Sequence, residues 1–206
     1  MIIAGLTGSI GMGKSTASNM LREMGVPIHD SDATVHELMG KNGKAVPAIA
    51  ALCPDALVDN AIDRKILGKF LFADPVLKQA VEDVLFPMVK QSALDFAAAR
   101  KAEGHALVVF DVPLLFEAGW DKTVDNVICV SAPPEVQKAR VMARPGMTEE
   151  RFNAVMAAQM PDADKRAKSD YVINTGIGLD DTREQLRKLV DTLRPSSRRN
   201  PPGMKP

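Results

Sequence analysis

The 206-residue chain lacks any excess of charge, since 26 Lys and Arg residues are matched by 26 Asp and Glu. A net charge of zero provides no general field for nucleic acid or an anionic membrane surface, so the partners to look for are small molecules. Cysteine is scarce. Cys53 and Cys129 are the only two, and the apolar surroundings of Cys129 suggest a buried thiol rather than a disulfide scaffold or a metal site. His29, His36 and His105 show no metal-ligand spacing and no companion nucleophile, which leaves them structural roles. No segment approaches the roughly 20 apolar residues of a membrane span, and no basic leader precedes the first apolar stretch, which points to a cytoplasmic protein. Internal repeats are absent. The eleven methionines fall mostly on apolar helical faces, as core filling requires.

The chain does contain, near its start, Gly8-Ser9-Ile10-Gly11-Met12-Gly13-Lys14-Ser15, a complete match to the phosphate-binding loop, directly after the apolar run at 2–6. Gly8, Gly11 and Gly13 allow the tight turn that brings backbone N–H groups against phosphate oxygens. A helix starting near Gly13 aims its positive dipole end at the same anion. Lys14 can reach the β- and γ-phosphates, and the Ser15 hydroxyl is placed for the Mg²⁺ that bridges them.

A chain of this length buries about 70% of its unfolded surface, which suits a single α/β domain. Strands are expected at 26–29, 106–110, 123–130 and 171–173 in addition to the first, and helices at 14–24, 33–39, 134–143 and 179–193. Residues 32–103 show helical periods at 45–52, 62–72 and 76–100 and no clear strand, so they read as a helical insertion. Pro87 should kink or break the longest of these near Phe86. The run at 106–110 has no alternation and reads as a strand buried on both faces. Together these elements predict a three-layer fold around a five-stranded parallel sheet, with the ligand site at the carboxyl ends of the strands. A Pro- and Arg-rich tail at about 195–206 has nothing to pack and is expected to be disordered.

Three acidic positions come to that edge: Asp32, Asp111 and Glu117. Phosphoryl transfer needs a cation clamp, a group that orients or deprotonates the attacking oxygen, and positive charge at the moving phosphoryl. Asp32 fits the general base and Asp111 a Mg²⁺ partner acting through water, while the plain alternative for each is the cap of a turn or helix. Arg140 and Arg144, four apart on one helix and followed by Pro145-Gly146, suggest a mobile lid over about 140–165 that closes on phosphates. The competing reading is a solvated basic face.

Beyond the loop, several separated segments resemble the dephospho-coenzyme A kinase family. These are the opening at 5–16, the Asp30-Ser31-Asp32 step, the Val112-Pro113-Leu114-Leu115-Phe116-Glu117 loop, the stretch from Gln137 to Arg144 with Gln159-Met160, and the closing Asp170-Tyr171-Val172-Ile173-Asn174. The resemblance spans residues 1–193 and implies an ATP- and Mg²⁺-dependent kinase that phosphorylates the ribose 3′-hydroxyl of dephospho-CoA. It implies Asp32 as the base, the loop from Gly11 through Met12, Gly13, Lys14 and Ser15 to Thr16 for ATP, Arg140 as a phosphate-side cation with Arg144 nearby, and Asn174 near the adenine. Arg64, Leu114, Leu115 and Glu117 would hold dephospho-CoA. One position departs from the family pattern: Phe86-Pro87 stands where His-Pro is usual, and Phe cannot donate the hydrogen bonds of an imidazole. A kinase for another small alcohol or nucleoside monophosphate is a second reading, because the loop reads the triphosphate and not the acceptor. A non-catalytic nucleotide switch is a third, disfavoured by the lack of an Asn-Lys-x-Asp motif.

Overall fold

The computed structural model describes residues 1–194; the tail expected to be disordered lies outside them. In chain order the elements are β1 (Ile2–Thr7), α1 (Lys14–Glu23), β2 (Ile28–Asp30), α2 (Ser31–Met39), α3 (Val46–Leu52), β3 (Leu57–Val58), β4 (Ala61–Ile62), α4 (Arg64–Ala73), α5 (Pro75–Ala102), β5 (Leu107–Asp111), β6 (Asn126–Ser131), α6 (Pro134–Met142), α7 (Glu149–Ala157), α8 (Asp162–Lys168), β7 (Tyr171–Asn174) and α9 (Leu179–Leu193). The described residues divide into two compact units, one comprising residues 1–28 and 101–194 and the other His29–Arg100.

The first unit is built on the five-stranded sheet, ordered β2-β5-β1-β6-β7. This is the three-layer α/β architecture expected from the alternation of strands and helices. β1 pairs in parallel with β5 on one side and with β6 on the other, Leu6 standing opposite both Asp111 and Ile128. β7 continues the sheet in parallel beyond β6. Every residue of β5 is buried, as the unbroken apolar run requires of an inner strand. The chain crosses from one flank of β1 to the other after β5, so the loop leaving β1 opens at a topological switch point, where ligands of such sheets bind.

The core of this unit gathers Ala4 and Leu6 of β1, Val109 of β5, Ile128 and Val130 of β6, and the inward faces of α1 and α9. Ala17, Met20 and Leu21 supply the stripe on α1, and Leu186, Leu189, Val190 and Leu193 that on α9. Their spacing of three and four residues explains why both helices form and which faces they bury. Cys129 is fully enclosed in β6, and burial pushes its thiol up to about 11. At Gly8 the backbone passes so close to β6 that a Cβ would stand 2.7 Å from the Val130 carbonyl oxygen, so only glycine fits.

The second unit is mainly helical, with a core of Met39, Val46, Ile49, Leu67, Val81 and Leu85. It differs from the sequence expectation in three places. Helix α5 runs unbroken for 28 residues through Pro87, because the apolar stripe of Val81, Leu85, Val89 and Ala93 stays buried on both sides of the proline and outweighs one missing N–H donor. A two-stranded antiparallel hairpin, β3–β4, lies where no strand was expected. Its turn residues Asp59 and Asn60 both take positive φ, the geometry of a tight hairpin turn. Helix α2 begins at Ser31, two residues earlier than its apolar spacing suggests, because the Asp30 side chain accepts from the Ala33 amide and caps it.

Buried His29 also belongs to this unit, its Nε2 3.1 Å from both Ser92 Oγ and Thr34 Oγ1 and its ring 5.7 Å from that of Phe96. Loss of solvation holds its imidazole below the ordinary value, against the opposing fields of Asp30 and Glu37. The unfolded chain therefore takes up this proton first. The His29 contribution to stability is complete above about pH 6.5 and is lost as the pH falls below it. H29Q should flatten the dependence of melting temperature on pH between about 7.5 and 5.5; an unaltered slope would assign that dependence to other groups.

Candidate active site

The phosphate loop joins β1 to α1 and is shaped by two glycines in the left-handed region, Gly11 with φ of 78° and Gly13 with φ of 87°. Gly13 is the N-cap of α1 and the helix has no side-chain cap. By contrast, α2, α4 and α7 are capped by Asp30, Asp63 and Thr148. The first-turn N–H groups of α1, at Lys14, Ser15 and Thr16, have no helical acceptor, which is the arrangement an anion fills.

The loop carbonyls are tied down by side chains of the same unit. Gln137 Nε2 donates to the Ile10 carbonyl at 2.8 Å, and the Ile10 amide in turn donates to Gln159 Oε1 at 3.0 Å. Thr175 Oγ1 donates to the Met12 carbonyl at 2.8 Å. Arg140 donates to Thr175 Oγ1 at 3.1 Å, to the Thr175 carbonyl at 2.7 Å and, more distantly, to the Gly11 carbonyl at 3.5 Å. The Met12 side chain is buried with its sulfur 3.1 Å from the Ala132 amide, which anchors the loop to the end of β6.

Lys14 Nζ lies 2.5 Å from Asp111 Oδ1, and Asp111 is nearly fully buried at the end of β5. Ser15 and Thr16 are exposed at the start of α1. The structure thus brings Lys14 and Asp111 together at the rim of the loop, and Arg140 against the loop itself. Arg144 lies beyond the end of α6, exposed, so it does not share a helical face with Arg140 as its spacing suggests. The helix stops at Met142 and the chain turns into Pro145-Gly146, where Arg151 Nη1 holds the Gly146 carbonyl at 2.6 Å.

The 113–117 loop separates its residues by role. Leu115 is fully buried, and a Cβ on Gly5 would stand 2.4 Å from its Cδ1, whereas Leu114 is 40% exposed. Leu115 therefore packs the core, and Leu114 is the member of the pair with surface to offer a ligand. Glu117 is engaged within the protein. Its Oε1 accepts from the Met160 amide at 2.7 Å and lies 3.0 Å from Nζ of Lys165, a lysine with no exposed surface that also donates to the Pro113 carbonyl at 3.2 Å. Burial works to raise the Glu117 carboxyl, but the amides of Met160 and of Glu117 itself, with the Lys165 ammonium, outweigh it and leave the group below its ordinary value. This pair clasps the 113–117 loop to α8. At the end of β7, Asn174 is exposed; its Oδ1 accepts from the Gly176 amide at 2.8 Å and its backbone is paired with Gln185.

In the second unit, Asp32 stands exposed in the first turn of α2, where the helix dipole favours a negative charge. Arg64 opens α4, and Asp63 fixes that helix start by accepting from the amides of Lys65 and Ile66. Its Nη1 lies 2.5 Å from Nδ1 of His36, which is one helical turn after Asp32 on the same face of α2. An open cavity of ≈ 580 Å³ in this unit is lined by Thr34, Leu38, Lys41, Lys44 and Met88 among others.

Sequence reasoning missed Thr175, Lys165 and the Arg64 to His36 contact. Nothing local marks them, since each works through a partner distant in the chain. Among the described residues no three His, Cys, Asp or Glu side chains group to hold a metal ion, and no helix is long and apolar enough to cross a membrane.

Comparison with known proteins fixes the lineage of this arrangement. The family model described as Dephospho-CoA kinase matches residues 2–181. Dephospho-CoA kinase of Rhodopseudomonas palustris (strain HaA2) is 44% identical over 201 residues, covering 98% of this chain and 100% of that protein. The corresponding protein of Novosphingobium aromaticivorans is 47% identical, with 98% of each chain covered. The crystal structure of TT1252 from Thermus thermophilus superposes with a TM-score of 0.82 at 34% identity, covering 93% of this chain and 97% of that one. With its phosphate loop at the switch point of a parallel sheet and this similarity along nearly its whole length, the chain belongs to the dephospho-CoA kinase family.

Proposed function

We propose that this enzyme transfers the γ-phosphoryl group of ATP to the ribose 3′-hydroxyl of dephospho-CoA, giving coenzyme A and ADP. The observation that carries the reading is the uncapped, glycine-fronted start of α1 with Lys14 beside it. Its amides bind the β-phosphate side of the triphosphate, and the Lys14 ammonium balances charge as it shifts toward the β–γ bridge. Asp32 accepts the proton of the acceptor hydroxyl as that oxygen attacks phosphorus, and the γ-phosphoryl group leaves ADP in line. Asn174 faces the adenine, and Arg144 with the lid adds positive charge over the phosphates.

The side chains present suit Mg²⁺. A hydroxyl at Ser15 and a carboxylate at Asp111 are hard oxygen donors, and this ion takes one or two protein oxygens and completes its shell from phosphates and water. When bound it neutralises charge on the phosphoryl oxygens. Arg64 and Leu114 hold dephospho-CoA. Arg64 is suited to the acceptor's diphosphate because its guanidinium is fixed at one end by His36 and offers several N–H groups in a rigid fork. R64A should raise the KM for dephospho-CoA about tenfold to a hundredfold, as loss of a hydrogen bond between charged groups implies, and leave the KM for ATP unchanged. A change confined to ATP would move Arg64 to the nucleotide side.

The deciding assay measures ADP release with dephospho-CoA, with a panel of nucleoside monophosphates and with no acceptor. Stimulation by dephospho-CoA alone supports the proposal. Preference for a monophosphate would make this a kinase of another acceptor, and turnover indifferent to any acceptor would leave a nucleotide switch.

A further inference from the structure

Thr175, in the turn after β7, touches both the nucleotide loop and the Arg140 guanidinium beside it. It is buried, 6% exposed. Its amide donates to the Ser131 carbonyl at 2.8 Å, so its backbone is fixed to the end of β6. Its hydroxyl donates to the Met12 carbonyl at 2.8 Å and accepts from Arg140 Nη1 at 3.1 Å, while its own carbonyl takes Arg140 Nη2 at 2.7 Å. Its side chain also closes the space beside Gly13, where a Cβ would come within 3.1 Å of Oγ1.

A trans peptide points its C=O and its N–H in opposite directions. Holding the Met12 oxygen against Thr175 therefore turns the Gly13 N–H toward the opposite side of the loop, and the Gln137 contact with Ile10 does the same for Gly11. Without the hydroxyl, the Met12 carbonyl has no tether and the Met12–Gly13 peptide can rotate, presenting an oxygen where a phosphate oxygen should sit. The same hydroxyl is one of the points that locate the Arg140 guanidinium.

We infer that Thr175 is a positioning residue of the nucleotide site, its hydroxyl setting the Met12–Gly13 peptide and the Arg140 guanidinium in one frame. This rests on the reading of the loop as the ATP site. The test compares T175V, which keeps the shape and removes the hydroxyl, with T175S, which keeps the hydroxyl and removes the methyl. ATP affinity is measured by calorimetry without acceptor, and KM is measured for each substrate. T175V should weaken ATP about tenfold, as expected from losing a hydrogen bond and leaving its acceptor unpaired, with the dephospho-CoA KM unchanged. T175S should match the unaltered enzyme. The T175V penalty should shrink in an R140M background, because the two side chains act as one unit.

Unchanged ATP affinity in T175V, or equal losses in T175V and T175S, would overturn the inference, the latter by assigning the effect to methyl packing. If T175V does not fold, T175A with the same calorimetry replaces it and is judged by the same criterion. The two failures are separable: an unaltered chain that binds no ATP removes the site reading itself, whereas one that binds ATP and ignores T175V removes only the role of Thr175.

Discussion

K14A should lower kcat/KM for ATP by at least the 10²- to 10³-fold that loss of one transition-state donor costs, with a rise in the KM for ATP as well. The ammonium stands at the rim of the loop on a flexible side chain, and the backbone amides cannot follow the phosphoryl group as it moves. The substitution also has a structural effect that must be separated from the catalytic one. Asp111 is 4% exposed and has Lys14 Nζ 2.5 Å away, so removing the lysine leaves a buried carboxylate without that partner, at a cost of about 1–3 kcal/mol or more. Urea unfolding should show that loss in K14A and its partial recovery in K14A combined with D111N, while activity stays low in both. If K14A bound and turned over ATP normally, the loop would not be the nucleotide site.

D32N should leave ATP binding close to that of the unaltered enzyme and reduce kcat by about 10²- to 10⁴-fold, the range expected for a general base. An amide has the shape of the carboxylate but cannot take a proton from the acceptor hydroxyl. Because Asp32 is exposed in the first turn of α2, the folding cost includes loss of its favourable interaction with the helix dipole, about 0.3–1 kcal/mol. A stable variant with little turnover is therefore the expected outcome. Near-normal turnover would take Asp32 out of the chemistry. An equal loss in ATP affinity would place it on the nucleotide side.

How much of this could be read from the order of residues depends on how local each feature is. The phosphate loop is contiguous, and its function follows from glycine geometry and one ammonium, so Gly8 to Ser15 announces itself. The main strands announce themselves too, because an inner parallel strand such as Leu107–Asp111 is apolar up to its last residue. The β3–β4 hairpin has strands of two residues, too short to show a period, and its only signal is the Asp59-Asn60 turn. Pro87 misleads because helix-breaking is a local tendency, whereas the persistence of α5 is decided by packing along 28 residues. Leu114 and Leu115 sit side by side in one motif, yet only the fold distinguishes the buried one from the exposed one. Thr175 acts on Met12, 163 residues away, and Lys165 on Glu117; in one dimension each looks like an ordinary polar residue.

The sealed position of the two cysteines has a practical consequence for the behaviour of the protein in air. Cys129 is wholly enclosed and its thiol is pushed up to about 11, and Cys53 is only 4% exposed. Oxidation and alkylation proceed through an accessible thiolate, and here neither sulfur meets that requirement. Covalent dimers should therefore not accumulate while the protein stays folded, and any maleimide that does attach reports opening of the fold rather than surface chemistry.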